Sequence, residues 1–210
     1  MKYLMLLMCL TISSYSNAMS APLGEVSQTH QSPAVMFAKW RTMLDRHGST
    51  KTASCAGNAS GCLPDEVLNR LDKLQGGNQM EQLKSVNKLV NRVRYLSDKR
   101  QYGTNDYWAS PAEFFANGKG DCEDYSIAKY FVLRELGFAT HDMRLIIAKD
   151  NKINEYHAVL SVNVGGQFYI LDNRTNGIKI DVNVPSLKPI YALNENQWWL
   201  YQNALKSLNG

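Results

Sequence analysis

The hydrophobic period of this chain changes once, at Gly137, and no other feature constrains the fold as much. Before Gly137, apolar residues recur at intervals of three and four, the spacing of helices packed on one face. Val35, Met36, Phe37, Trp40, Met43 and Leu44 do so within 34–44. Val67, Leu68, Leu71 and Leu74 follow within 64–74, stopped by Gly76-Gly77. Met80, Leu83, Val86, Leu89, Val90 and Val93 form a longer stripe. Ser110-Pro111-Ala112-Glu113 has a capping hydroxyl, a proline at the first helical position and an acid in the first turn. Ile127, Ala128, Phe131, Val132 and Leu136 predict a buried helix over 121–136. After Gly137 the period drops to two. Segments 143–148, 156–164 and 167–171 read as strands, with further strands at 178–184 and 190–193. Gly165-Gly166 has the form of a two-residue hairpin turn. Segments 49–61 and 102–110 read as loops, and Trp198, Trp199 and Tyr201 as packing at the chain end. Helices first and antiparallel strands second make an α+β domain, with N-terminal helices packed on an antiparallel β-sheet.

The N-terminus reads differently. Lys2, the apolar run 3–12 and Ser16-Asn17-Ala18 have the order of a secretory signal with a small-x-small cleavage site. Ten apolar residues are too few to span a bilayer, which needs roughly 20. The expected division is a signal peptide over 1–18, a flexible polar arm over 19–33 and one domain over 34–210. A 210-residue chain carrying 23 basic and 19 acidic residues is only mildly basic, which gives no case for nucleic-acid binding. Export bears on the cysteines. Cys9 leaves with the signal. Cys55 and Cys62 bracket a flexible segment of small residues, so an oxidising compartment favours a disulfide between them over two free thiols. Cys122 is left unpaired, as an inert core thiol or a reactive one.

Gly118-Lys119-Gly120-Asp121-Cys122-Glu123-Asp124-Tyr125 is the segment with the most chemistry in it. The glycines permit a tight turn into a helix. Cys122 then sits at the helix N-terminus, where free N–H groups and the positive end of the dipole favour a thiolate and an oxyanion. His157 begins one strand of the hairpin and Asp172 follows the other. With Gly165-Gly166 as the turn, residue 159 opposes 172, and His157 is one diagonal away. That suits a carboxylate that orients an imidazole, which in turn activates a thiol. Taken singly, His157 also reads as a half-buried strand histidine and Asp172 as a turn acid.

Gly120 to Tyr125, with His157 and Asp172 downstream, resembles the bacterial transglutaminase-like cysteine proteinases from about Trp40 onward. The resemblance implies a papain/transglutaminase-like core with Cys122 as nucleophile, His157 as general base and acid, and Asp172 as its orienting partner. It implies a periplasmic, calcium-requiring endopeptidase that cuts the N-terminal region of a large surface adhesin after two small residues, releasing the biofilm adhesin. It also implies an inner-membrane cyclic di-GMP receptor that sequesters the protease. Asp121, Glu123 and Asp124 would raise the thiol pKa as bare carboxylates, and Ca²⁺ held on their hard oxygens would offset that charge. The other reading is that these acids only cap the helix. Trp108 either completes the oxyanion hole through its indole N–H or packs in the core.

The triad by itself leaves two rivals to hydrolysis. One is acyl transfer from, or deamidation of, protein glutamine. The other is a calcium-dependent binding module with a vestigial triad. Mass mapping of the exported protein without reductant is expected to find Cys55 joined to Cys62 and Cys122 free. A disulfide at Cys122 would rule out its use as a nucleophile.

Overall fold

The computed structural model describes residues 21–53, 63–202 and 204. The expected signal peptide and both Cys55 and Cys62 lie outside these residues. The main layer is a seven-stranded sheet: β1 (Val26–Gln31), β4 (Met143–Asp150), β5 (Glu155–Val164), β6 (Gln167–Leu171), β7 (Lys179–Ile180), β8 (Leu187–Leu193) and β9 (Gln197–Tyr201). The strand order is β1-β9-β8-β4-β5-β6-β7, and every pairing within it is antiparallel. Helices α1 (Pro33–Met36), α2 (Ala38–Ala53), α3 (Asp65–Asp72), α4 (Gln79–Val90), α5 (Asp98–Gln101), α6 (Pro111–Asn117) and α7 (Cys122–Glu135) complete the domain, with a parallel pair of two-residue strands, β2 (Arg94–Tyr95) and β3 (Lys119–Gly120). The class is α+β, as the change of period predicts.

The sheet has apolar layers on both faces. Leu145, Leu160, Val162, Leu171 and Leu193 join the helical core around Trp40, Phe114 and Phe131. Ile146, Val159, Ile170, Trp199 and Tyr201 form a second cluster on the opposite face. A strand covered on both faces needs a nearly continuous apolar run, and Leu145-Ile146-Ile147-Ala148 provides one. Helix α7 is buried from Asp124 to Leu133 and lies against β4, β5, α4 and α6.

Three expectations are corrected. The polar segment 19–33 is not a flexible arm where the structure describes it. Val26–Gln31 is an edge strand on β9, and His30 stacks on Trp198 at 4.4 Å. Backbone hydrogen bonds pair an edge strand whatever its side chains, so polarity misleads there. Leu23 and Val26 pack on the outer cluster, and the Tyr201 hydroxyl donates to the Pro22 carbonyl at 3.0 Å. Second, the helix expected over 34–44 breaks at Phe37, and its second part runs to Ala53 into the expected loop. Third, the strand expected over 178–184 is only Lys179–Ile180, followed by a 3₁₀ turn at Asp181–Asn183. Trp198, Trp199 and Tyr201 pack as expected, and they do so from strand β9.

Deleting residues 19–31 tests the first correction. The loss of Leu23 and Val26 burial is expected to lower unfolding free energy by at least about 2 kcal/mol in urea titration. A freely moving arm would leave it unchanged.

Candidate active site

Ser110 caps α6 by accepting from the Glu113 N–H, while the Glu113 carboxylate accepts from the Ser110 N–H at 2.7 Å. Gly118 ends that helix in the left-handed region, at φ +60°. The chain then pairs Tyr95 with Gly120 and enters α7 at Cys122. A side chain one turn into the helix holds this entry: Asp124 Oδ2 accepts from the Asp121 N–H at 3.2 Å. The other oxygen of Asp124 accepts from the Ala109 N–H at 2.7 Å. A Cβ on Gly120 would lie 2.6 Å from Asp124 Oδ2 and 2.8 Å from the Phe114 ring, so only glycine fits there.

The hairpin forms with the predicted register. Val164 pairs with Gln167 and Leu160 with Leu171, around Gly165 and Gly166 at φ +61° and +85°. Continuing the register sets 159 opposite 172, and the His157–Asp172 diagonal closes as a hydrogen bond of 2.9 Å from Nε2 to Oδ1. His157 is 2% exposed. Burial alone would raise the Asp172 carboxyl. The His157 hydrogen bond and charge, the Arg174 N–H and the Lys129 charge hold it below its ordinary value. An ionised Asp172 accepts the Nε2 proton and leaves Nδ1 as the basic nitrogen. Cys122 and His157 line one cleft of about 400 Å³ with Tyr95, Tyr156 and Arg174. The Ala158 N–H also acts on the sulfur. Hairpin spacing brings His157 to Asp172, and the packing of α7 brings Cys122 to the same cleft.

The charge around the thiol differs from the expectation of a resting thiolate. The Cys122 thiol donates to Glu123 Oε2 at 3.1 Å. Burial pushes its pKa well up, and the charges of Glu123 and Asp121 push the same way. Burial, then Asp121, raises Glu123 to about 8. Burial also raises Asp124 to about 8, partly offset by the Ala109 N–H. The helix dipole is therefore outweighed by desolvation and by like charge.

The acidic cluster includes residues that the local sequence did not reveal. Asp98, at the start of α5, places a carboxylate oxygen within 4.8 Å of those of Asp121 and Asp124; Asp98, Asp106 and Glu123 form an overlapping group. Asp98 Oδ1 and Asp121 Oδ1 are buried with no hydrogen-bond partner. Burial raises Asp98 to about 6. Buried, unpartnered carboxylate oxygens converging in this way fit a hard divalent cation. A cap alone would leave no such atoms. Asp98 lies 23 residues before Asp121; the pairing of β2 with β3 brings its segment alongside, and its backbone N–H donates to Asp121 Oδ2 at 3.1 Å.

Trp108 takes the packing reading rather than the oxyanion one. Its indole N–H donates to Asp106 Oδ1 at 2.9 Å, and its ring packs edge-on to Trp40. Tyr95 instead reaches the cleft. Burial raises its phenol to about 12, followed by the charge of Cys122, so the hydroxyl keeps its proton at neutral pH. No apolar stripe or motif marks Tyr95 in the sequence.

The family model described as bacterial transglutaminase-like cysteine proteinase matches residues 49–198. No curated protein sequence matches the chain. Among solved structures, Legionella pneumophila LapG is 35% identical with a TM-score of 0.60, covering 68% of this chain and 80% of its own. Its calcium-bound form is 31% identical at the same TM-score, covering 69% and 88%. An EGTA-treated form is 34% identical, also with a TM-score of 0.60, covering 65% and 75%.

The raised carboxyls have a consequence for stability. The folded state holds protons on Glu123 and Asp124 that the unfolded chain releases near the ordinary values of 4.5 and 3.8. Stability contributed by these protons is full below about 4 and is lost as pH rises toward about 8. In chelator, the melting temperature is expected to fall across that window. Exchanging both acids for amides should flatten the profile.

Proposed function

Because the chain belongs to the bacterial transglutaminase-like cysteine proteinases, we propose that it is a periplasmic endopeptidase that cuts a large surface adhesin through a thioester on Cys122. The observation that carries this reading is the Nε2–Asp172 bond of His157 in the cleft that Cys122 also lines. His157 Nδ1 takes the thiol proton, and the Cys122 sulfur attacks the scissile carbonyl carbon. The same nitrogen returns the proton to the departing amine, leaving a thioester. Water, activated by His157, attacks that thioester and frees the sulfur. Asp172 keeps the imidazole in one tautomer and stabilises its protonated form. The Cys122 backbone N–H and the Tyr95 hydroxyl donate to the oxyanion.

Asp98, Asp121, Glu123 and Asp124 would hold Ca²⁺, the ion present in the bound Legionella structure. When bound, it supplies positive charge that offsets the carboxylates opposing thiol ionisation. Periplasmic location is supported by the signal-like N-terminus, and no helix among the described residues is long and apolar enough to cross a membrane. Cleavage in the N-terminal region of the adhesin, its release from biofilm, and sequestration by an inner-membrane cyclic di-GMP receptor rest on the family resemblance.

The test is incubation with N-terminal fragments of surface adhesins, followed by sequencing of the new N-termini. Wild type with Ca²⁺ is expected to cut at one site, and EGTA to stop it reversibly. Cys122→Ala and His157→Ala should each lower kcat at least about 1,000-fold. Tyr95→Phe should lower it about 100-fold. Retained cleavage by Cys122→Ala would refute the mechanism, and incorporation of an added amine would favour acyl transfer over hydrolysis.

A further inference from the structure

Residues two apart on a strand point to the same face of the sheet. His157 pairs with Ala148, so Glu155 and its cross-strand partner Asp150 lie one step beyond, on the face that carries the imidazole. Arg174 reaches both carboxylates. Its Nη1 donates to Asp150 Oδ2 at 2.8 Å, and its Nη2 lies 3.8 Å from Glu155 Oε2. The two contacts are unequal. The Glu155 side chain is 69% exposed, so water screens the longer pair. The Asp150 side chain is only 9% exposed, and its short, charge-assisted bond is the one that holds the guanidinium.

Asp150 is a firm anchor. It ends strand β4, where it pairs with Glu155 of β5 on one side and Leu187 of β8 on the other. Its Oδ1 also accepts from the Lys152 N–H at 3.0 Å. Arg174 carries that anchorage to the triad through its own backbone. Its N–H donates to Asp172 Oδ1 at 2.9 Å, the same oxygen that His157 Nε2 meets at 2.9 Å. Helix α4 holds the turn from another direction. Asn91 donates to the Asp172 and Thr175 carbonyls at 3.0 and 2.9 Å, and Asn87 donates to the Thr175 carbonyl at 2.9 Å. Those bonds hold carbonyls, whereas Arg174 ties the N–H that faces the Asp172 carboxylate to the end of β4.

We propose that Asp150 is a positioning residue for the triad: by gripping the Arg174 guanidinium it sets the Arg174 N–H, and with it the Asp172 oxygen that orients the His157 ring. The proposal rests on the reading of Cys122, His157 and Asp172 as a hydrolytic triad. Arg174 lines the cleft, whereas Asp150 is buried and does not line it. Asp150 therefore acts through Arg174 and touches no substrate.

Asp150→Asn tests it, since the amide keeps the shape and can still accept from the Lys152 N–H while the charge is lost. With KM unchanged, kcat is expected to fall about tenfold. The His157 ring N–H proton, followed by ¹⁵N-edited NMR, should move upfield as its bond to Asp172 loosens. Arg174→Met should also lower kcat and move that resonance. The double variant should fall no further than Arg174→Met, because both substitutions break one link. Additive losses would overturn the proposal, as would an unmoved resonance, a full kcat, or a kcat that falls only with the folded fraction. The Arg174 side chain is 36% exposed and tolerates exchange, so the resonance in Arg174→Met decides if Asp150→Asn does not fold. The resonance needs no substrate, so failure to find a cleaved adhesin is distinguishable from failure of this role.

Discussion

The Asp124 carboxylate is the interaction on which the rest of the site depends. It is fully buried, and its two oxygens join the 109 loop to the first turn of α7. Without those bonds two backbone N–H groups would be buried unpaired, a cost of about 1–3 kcal/mol each. With them, the entry to α7 is set against β3, and Cys122 is presented at the cleft. The same carboxylate also belongs to the acidic group with Asp98 and Asp121. One side chain therefore links the entry of α7, the presentation of Cys122 and the acidic cluster.

That economy has an electrostatic cost. A helix N-terminus by itself would favour a thiolate. Here Glu123 accepts the thiol proton's hydrogen bond, and burial and neighbouring acids keep the sulfur protonated. The His157–Asp172 bond and the shared cleft with Cys122 are in place, while burial and neighbouring acids oppose ionisation of the sulfur. Positive charge entering the carboxylate cluster would offset that opposition.

On the other side of the cleft, the geometry follows from short-range rules. Two glycines at positive φ select a two-residue turn, and alternation then fixes the register. His157 and Asp172 meet because of that count, with no long-range packing needed to define which residues face each other. The seven-stranded sheet holds the hairpin between β4 and β7, buried on both faces for most of β5.

The sequence by itself determined the α+β class, the cap at Ser110, the hairpin register and the meeting of His157 with Asp172. Each rests on contacts within a few residues or on a periodicity that local chemistry dictates. Tertiary structure alone decided what polarity and spacing could not encode. It made the polar N-terminal segment an edge strand, since backbone pairing is indifferent to side-chain character. It gave the Trp108 indole to Asp106 and put Tyr95 in the cleft. It brought Asp98 to Asp121 across 23 residues, and it buried Lys129 in the core. These are meetings of distant segments, and their energies depend on burial, which exists only once the chain has packed.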